Sequence, residues 1–212
     1  MSPNERIIAA KERVAAKRAG QSSAAEYSGN RLPPGQSEVD NFPVLDMGVH
    51  PEISREQWGL KVHGLVENPA RLDWSQFMAL EQFQDTSDFH CVTAWSQFDM
   101  EWQGVSFVTL IELVQPKPEA TYVYYKGFDG YSTNTTLEAV VDDDTLIAHT
   151  WNGGPISVEH GGPARVIIPK LYAWKGAKWV SEIIFLDRDI LGFWEVRGYS
   201  NTADPWHEDR YS

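Results

Sequence analysis

One cysteine stands in 212 residues, so no disulfide forms within the chain. The fold must hold by packing alone, as befits a reducing compartment. Positive charge is also scarce: Lys and Arg number 18 against 30 Asp and Glu, a formal net charge of −12. A field of that sign repels a phosphodiester backbone, which excludes nucleic acid as a partner. No run approaches the ~20 apolar residues of a membrane-spanning helix. The opening MSPNERIIAAKERVAAKRAG has neither the apolar centre of a secretory signal nor a twin-arginine pair. Cytoplasm is the expected location. Internal repeats and a βαβ nucleotide-binding series are absent as well.

Apolar residues are plentiful, at 42% with Trp 9 among them, enough for one well-buried domain. Asn4 to Ala19 reads as a short helix and Gln21 to Pro34 as a polar, extended arm. Residues 1–40 are thus expected as an N-terminal extension and 41–212 as the domain. Trp58–Leu65, Thr121–Phe128, Arg165–Pro169 and Trp179–Leu186 carry strand patterns, and Thr145–Trp151 is a further apolar segment closed by the turn Asn152-Gly153-Gly154-Pro155. Asp73 is placed to cap a helix reaching Leu80, and Gln103–Val114 reads as a strand or turn entering a helix. The tail after Gly192 is expected along the surface, pinned by Trp194, Tyr199 and Trp206. Short strands with few helices give an α+β, mostly β, single domain.

Gly161 to Ser181 gathers Arg165, Lys170, Lys175 and Lys178 and holds no Asp or Glu. Such a block either cradles an anion with a flat organic body or is a hairpin whose cations pair with carboxylates elsewhere. Cys91 has three readings: a small buried hydrophobe, a nucleophile, or a thiolate ligand to a metal whose remaining ligands come from an organic cofactor. The nucleophile needs a base. His90 adjoins it, but on a strand the two side chains face opposite ways.

Two blocks of sequence bear a resemblance. The first is Cys91-Val92-Thr93-Ala94-Trp95-Ser96 with Trp102-Gln103-Gly104-Val105. The second is Asn152-Gly153, His160-Gly161-Gly162-Pro163-Ala164-Arg165, Pro169 and Trp174-Lys175-Gly176-Ala177-Lys178-Trp179. Together, over about Asn41 to Asp189, they resemble the sulfite-oxidase-fold molybdopterin oxidoreductases. The likeness is nearest to the small haem-free branch that includes the methionine-sulfoxide reductase catalytic subunit.

The resemblance implies the sulfite-oxidase molybdopterin-binding fold. It also implies one molybdenum per chain, held by the dithiolene of a molybdopterin and a cysteine thiolate, with no haem. Cys91 is then the metal ligand. His160 and Arg165 contact the pterin and its phosphate, Lys175, Gly176, Ala177 and Lys178 form a cradle, and Asn41, Phe42 and Lys126 (or Gly127) match further cofactor contacts. His149 and Tyr172 are candidate catalytic residues in the substrate wall. Where true sulfite oxidases continue the cysteine motif with Asn and Arg, this chain has Ala94, Trp95 and Ser96. That aromatic setting suits a neutral S-oxide or N-oxide better than a small oxyanion. Oxygen-atom transfer in the reducing direction is therefore expected, with electrons from a separate partner. Sulfite oxidation with a separate acceptor, and a binding module without redox activity, are the alternatives.

Overall fold

The computed structural model describes residues 31–212 together with Glu5 and Ala9, so the helix expected over Asn4–Ala19 and most of the expected arm lie outside the described residues. The first strand, β1 (Ser37–Glu38), precedes the expected boundary at residue 41 and is already part of a sheet. In β2 (Gly59–Gly64) the alternation GLKVHG buries Leu60 and Val62 and leaves Lys61 outside. A hairpin return, β3 (Ala70–Asp73), leads into α1 (Trp74–Ala79). There Asp73 accepts from the Gln76 amide while the Gln76 side chain reaches back, so orphan donors at the helix start are satisfied reciprocally.

Next come β4 (Gln82–Cys91) and β5 (Trp95–Ser106), the longest antiparallel pair. Sequence analysis assigned no element to Gln82–Ser87, where Asp and Ser have a low strand preference. Pairing with β5 overrides that preference. Ser106 caps α2 (Phe107–Val114), and Gln115 closes it in a left-handed conformation just before Pro116. Phe107 enters the core with its ring centroid 6.3 Å from both Tyr125 and Phe185.

The remaining elements are β6 (Tyr122–Gly127), β7 (Ser132–Thr136), α3 (Leu137–Val140), β8 (Leu146–Trp151), β9 (Gly154–Pro155), β10 (Arg165–Ile167) and β11 (Val180–Leu186). Asn152 and Gly153, at φ 46° and 75°, form the tight hairpin turn between β8 and β9. One sheet runs β1-β5-β8-β10, with β4 along β5 and β9 along β8; the other runs β3-β2-β11-β6-β7. Where β5 bulges, a Cβ on Gly104 would lie 2.0 Å from the Ile147 carbonyl, so only glycine lets the two strands approach.

The tail differs from expectation. It does not merely lie on the surface: Glu195, Ser200 and Ala203 are buried. The Lys175 ammonium meets Glu195 Oε1 at 2.7 Å with both side chains fully buried. Thr133 Oγ1 donates to the same carboxylate, and Lys175 donates to Asn134 Oδ1 at 3.0 Å. No helix among the described residues is long and apolar enough to cross a membrane.

Candidate functional site

β4 ends at Cys91 and β5 begins at Trp95, so the connection is a tight turn. Ala94 is left-handed at φ 69° and its amide donates to the Cys91 carbonyl at 3.2 Å. The turn pushes the Cys91 side chain into a cavity of about 310 Å³. Its Sγ lies 3.2 Å from Thr93 Oγ1. Burial pushes the thiol above its ordinary value, and the Thr93 hydroxyl opposes that shift. His90 points the other way, to Ser96 Oγ at 2.8 Å, and burial lowers its pKa to about 4. A cysteine nucleophile therefore finds no base in its neighbour.

Facing Cys91 are cations brought by the second motif block. Arg165 opens β10 and is 2% exposed. Its Nη1 donates to the His160 carbonyl at 2.8 Å, and its Nε has no partner among the described residues. The guanidinium carbon lies 5.3 Å from the Phe89 ring centroid and 5.7 Å from that of Phe42. No carboxylate of the described residues lies within ion-pair distance of it. Burial lowers Arg165 to about 10, partly offset by the charge of Cys91.

Lys178 also lines the cavity, donating to the Glu159 carbonyl at 2.7 Å and standing 3.6 Å from Asp46 Oδ2. Burial, and then repulsion from Arg165, bring it to about 8. The stem of Lys178 lies flat because Gly161, at φ 103°, has no Cβ; one would sit 2.8 Å from Lys178 Cβ. His160 stacks on Phe42 at 4.2 Å, Nε2 against the Phe42 carbonyl at 2.9 Å and Nδ1 against Ser157 Oγ at 2.8 Å. Burial lowers its pKa, so the neutral ring donates through Nε2.

Of the residues singled out by sequence, Cys91, Phe42, His160, Arg165, Gly176 and Lys178 line one cavity. The others do not. His149 sits on β8 and turns toward α1, where Nε2 meets Gln82 Oε1 at 2.9 Å and the ring packs edge-on to Trp74 and Phe77. Tyr172 is buried behind the wall, stacked on Trp174 at 5.3 Å. Lys175 is taken up by Glu195. Lys126 is a surface cation paired with Glu182 at 2.7 Å. Asn41 is exposed, and Ala177 is buried with its carbonyl accepting from Val166.

Sequence reasoning missed Asp46, Asp129 and Tyr131, which line the cavity, and placed Trp194 and Tyr199 only as surface pins. The available signals were the Gly127–Gly130 turn and the aromatic density of the tail. Burial raises the Asp129 carboxyl, whose Oδ1 accepts from the Tyr131 amide at 3.0 Å.

The donor set fits a phosphate-bearing pterin with a thiolate-bound metal. Among the described residues the buried guanidinium has no carboxylate partner and an unused Nε, it shares the cavity with the thiol, and an ammonium and Gly176 stand on the same wall. A Cβ on Gly176 would lie 2.4 Å from the Val166 carbonyl, so glycine there lets the cavity wall pack against β10.

Comparison with known proteins agrees. The oxidoreductase molybdopterin binding domain model matches residues 47–194. YuiH of Bacillus subtilis (strain 168), an uncharacterized oxidoreductase, is 38% identical over 91% of this chain and 98% of its own length. The protein-methionine-sulfoxide reductase catalytic subunit MsrP of Gluconobacter oxydans (strain 621H) is 27% identical over 82% of this chain, which spans 64% of that protein. Among solved structures, the sulfane dehydrogenase SoxCD from Paracoccus pantotrophus superimposes with a TM-score of 0.60 at 25% identity. That match covers 66% of this chain and 40% of the other.

Proposed function

From the premise that this chain belongs to the oxidoreductase molybdopterin-binding domain family, we propose that it reduces a small, neutral S-oxide or N-oxide by oxygen-atom transfer. Overall the reaction takes R₂S=O, two electrons and two protons to R₂S and water. The molybdenum–molybdopterin, when bound, supplies a two-electron metal centre that exchanges one oxygen atom with the substrate.

The chain's own residues have separable tasks. Cys91 holds the metal through its thiolate, and Arg165 neutralises that ligand's negative charge together with the cofactor's phosphate. Lys178 holds the pterin end, while His160, its ring nitrogens taken by the Phe42 carbonyl and Ser157, fixes the Phe42 segment on the same wall as Gly176. Stoichiometry is one cofactor per chain, and haem is not part of this reading. The second tier of residues shapes the substrate mouth: Val92, Trp174, Trp194 and Tyr199 line it and exclude water. Burial holds the Tyr199 phenol protonated, with Tyr211 and the nearby Cys91 charge adding to the shift, so it stands as a hydrogen-bond donor to a substrate oxygen. Electrons arrive from a separate partner, and the single free cysteine fits the cytoplasm.

The observation that carries the cofactor assignment is Arg165: a buried cation without a carboxylate partner among the described residues, in the cavity that also holds Cys91. The aromatic walls carry the preference for a neutral substrate over sulfite. Purified enzyme loaded with molybdenum and given a reductant should turn over dimethyl or aryl sulfoxides or N-oxides faster than it oxidises sulfite. Efficient sulfite oxidation with no oxide reduction would reverse the assigned direction.

A further inference from the structure

Gln36 is a buried amide whose hydrogen-bonding capacity is divided among three distant partners. Its Nε2 donates to the Cys91 carbonyl at 3.1 Å and to the Tyr172 hydroxyl at 3.4 Å. Its Oε1 accepts from Ser96 Oγ at 3.3 Å. One side chain therefore ties together the residue that carries the thiol, the adjoining strand β5, and the tyrosine that backs Trp174 on the cavity wall.

The segment that delivers Gln36 is fastened along its length. At one end Arg31 forks onto Asp88 at 2.8 and 2.6 Å and reaches Asp99 at 2.6 Å. In the middle β1 adds to β5 in parallel, with the Ser37 amide donating to the Ala94 carbonyl at 3.0 Å and that of Val39 to Ser96 at 2.9 Å. At the far end the Phe42 carbonyl accepts from His160. The segment itself, residues 31–42, precedes residues 47–194, the span matched by the family model, whereas its partners lie within that span.

We propose that Gln36 is a positioning residue for Cys91, fixing its carbonyl and, through the backbone, the direction in which Sγ meets the metal. The reason is local. Besides Gln36, the Cys91 carbonyl has the Ala94 amide, which belongs to a turn already holding Ala94 left-handed at φ 69°. For a non-glycine residue that conformation is held only by its surroundings. Removing the amide frees the turn, and a thiolate rotated about its metal alters the electronic structure there. Groups behind a ligand commonly govern a site in this way.

The inference rests on the molybdenum reading, and the test separates the two. Gln36→Leu keeps the volume and withdraws every polar contact. Wild-type and variant are expressed in a host that makes the cofactor. Molybdenum per chain, the electron paramagnetic resonance spectrum of the one-electron-reduced metal, and kcat and KM are then measured. The spectrum is read on the loaded fraction, so partial loading leaves the comparison intact. The expected result is shifted or multiple g values, with kcat down about tenfold and KM within about twofold of wild-type.

A folded, loaded Gln36→Leu with the wild-type spectrum overturns the proposal. Should Gln36→Leu not accumulate, Gln36→Asn draws the amide back by one methylene and is read in the same way. Arg31→Gln loosens the same segment without touching Cys91 and is expected to leave the spectrum unchanged; an equal shift there overturns the assignment to Gln36. Wild-type protein without molybdenum overturns the parent reading and this one together.

Discussion

Burying a guanidinium with no carboxylate costs several kcal/mol unless something else supplies the negative charge. Arg165 is in that position, with Cys91 across the cavity. Arg165→Ala should weaken cofactor retention by about 2–5 kcal/mol, the range for truncating one partner of a buried charge pair. Pterin fluorescence after dialysis measures it, and unchanged occupancy would contradict the role. Cys91→Ser should abolish turnover while the melting temperature stays near wild-type; a Cys91→Ser enzyme that still turns over would exclude thiolate ligation.

Lys178 adds a pH dependence with two signs. In the ligand-free chain its value is about 8 against an ordinary 10.5. Above about 8 the unfolded chain binds more protons than the folded one, so ligand-free stability should rise with pH up to the unfolded value. Retention of an anionic cofactor should move oppositely, weakening as pH climbs through about 8 and the ammonium discharges. Thermal melts and dialysis across that window, with and without cofactor, check both signs.

The tail is held as an element rather than residue by residue. Lys175 and Glu195 meet in a fully buried pair, and Asn134 donates to both Asp189 and Asn201 beside it. Breaking one side leaves the other charged and unpaired. Lys175→Met should therefore cost about 3–5 kcal/mol, read as a drop in melting temperature of about 2–4 °C per kcal/mol. Lys175→Met with Glu195→Leu should recover most of it; no recovery would mean the pair is not the source. The same clamp sets Trp194 and Tyr199 in the cavity, so Lys175→Met should also raise KM.

This element marks the limit of what the sequence discloses. Strands with alternating or β-branched patterns and the Asp73 cap were legible because their causes lie within a few residues. Cys91, His160, Arg165 and Lys178 were legible because each lies in a local motif. Lys175 was read with the cavity cations, since nothing near it in sequence shows that Glu195 claims it. His149 sits beside the motif blocks in sequence, but strand alternation turns it to α1. Tyr199 and Trp194 enter the site through a tail whose path depends on that same distant ion pair.

Taken whole, the chain is acidic, yet two cations, Arg165 and Lys178, meet Asp46 and Asp129 in the cavity that holds Cys91. With a net charge of −12 over 212 residues, Arg165 and Lys178 stand together where a thiol points inward. That contrast is costly for an empty protein and reasonable for one that carries an anionic, thiolate-bound cofactor. Two sheets fix the cavity: β4 and β10, from one sheet, supply Cys91 and Arg165. The other sheet supplies the β6–β7 turn with Asp129 and Tyr131.

The most direct measurement is elemental analysis of the purified chain from a host able to make the cofactor, together with fluorescence of the oxidised, released pterin. About one molybdenum and one pterin per chain is the expected result, both falling in Arg165→Ala. A folded chain with neither metal nor pterin would contradict the account at its centre.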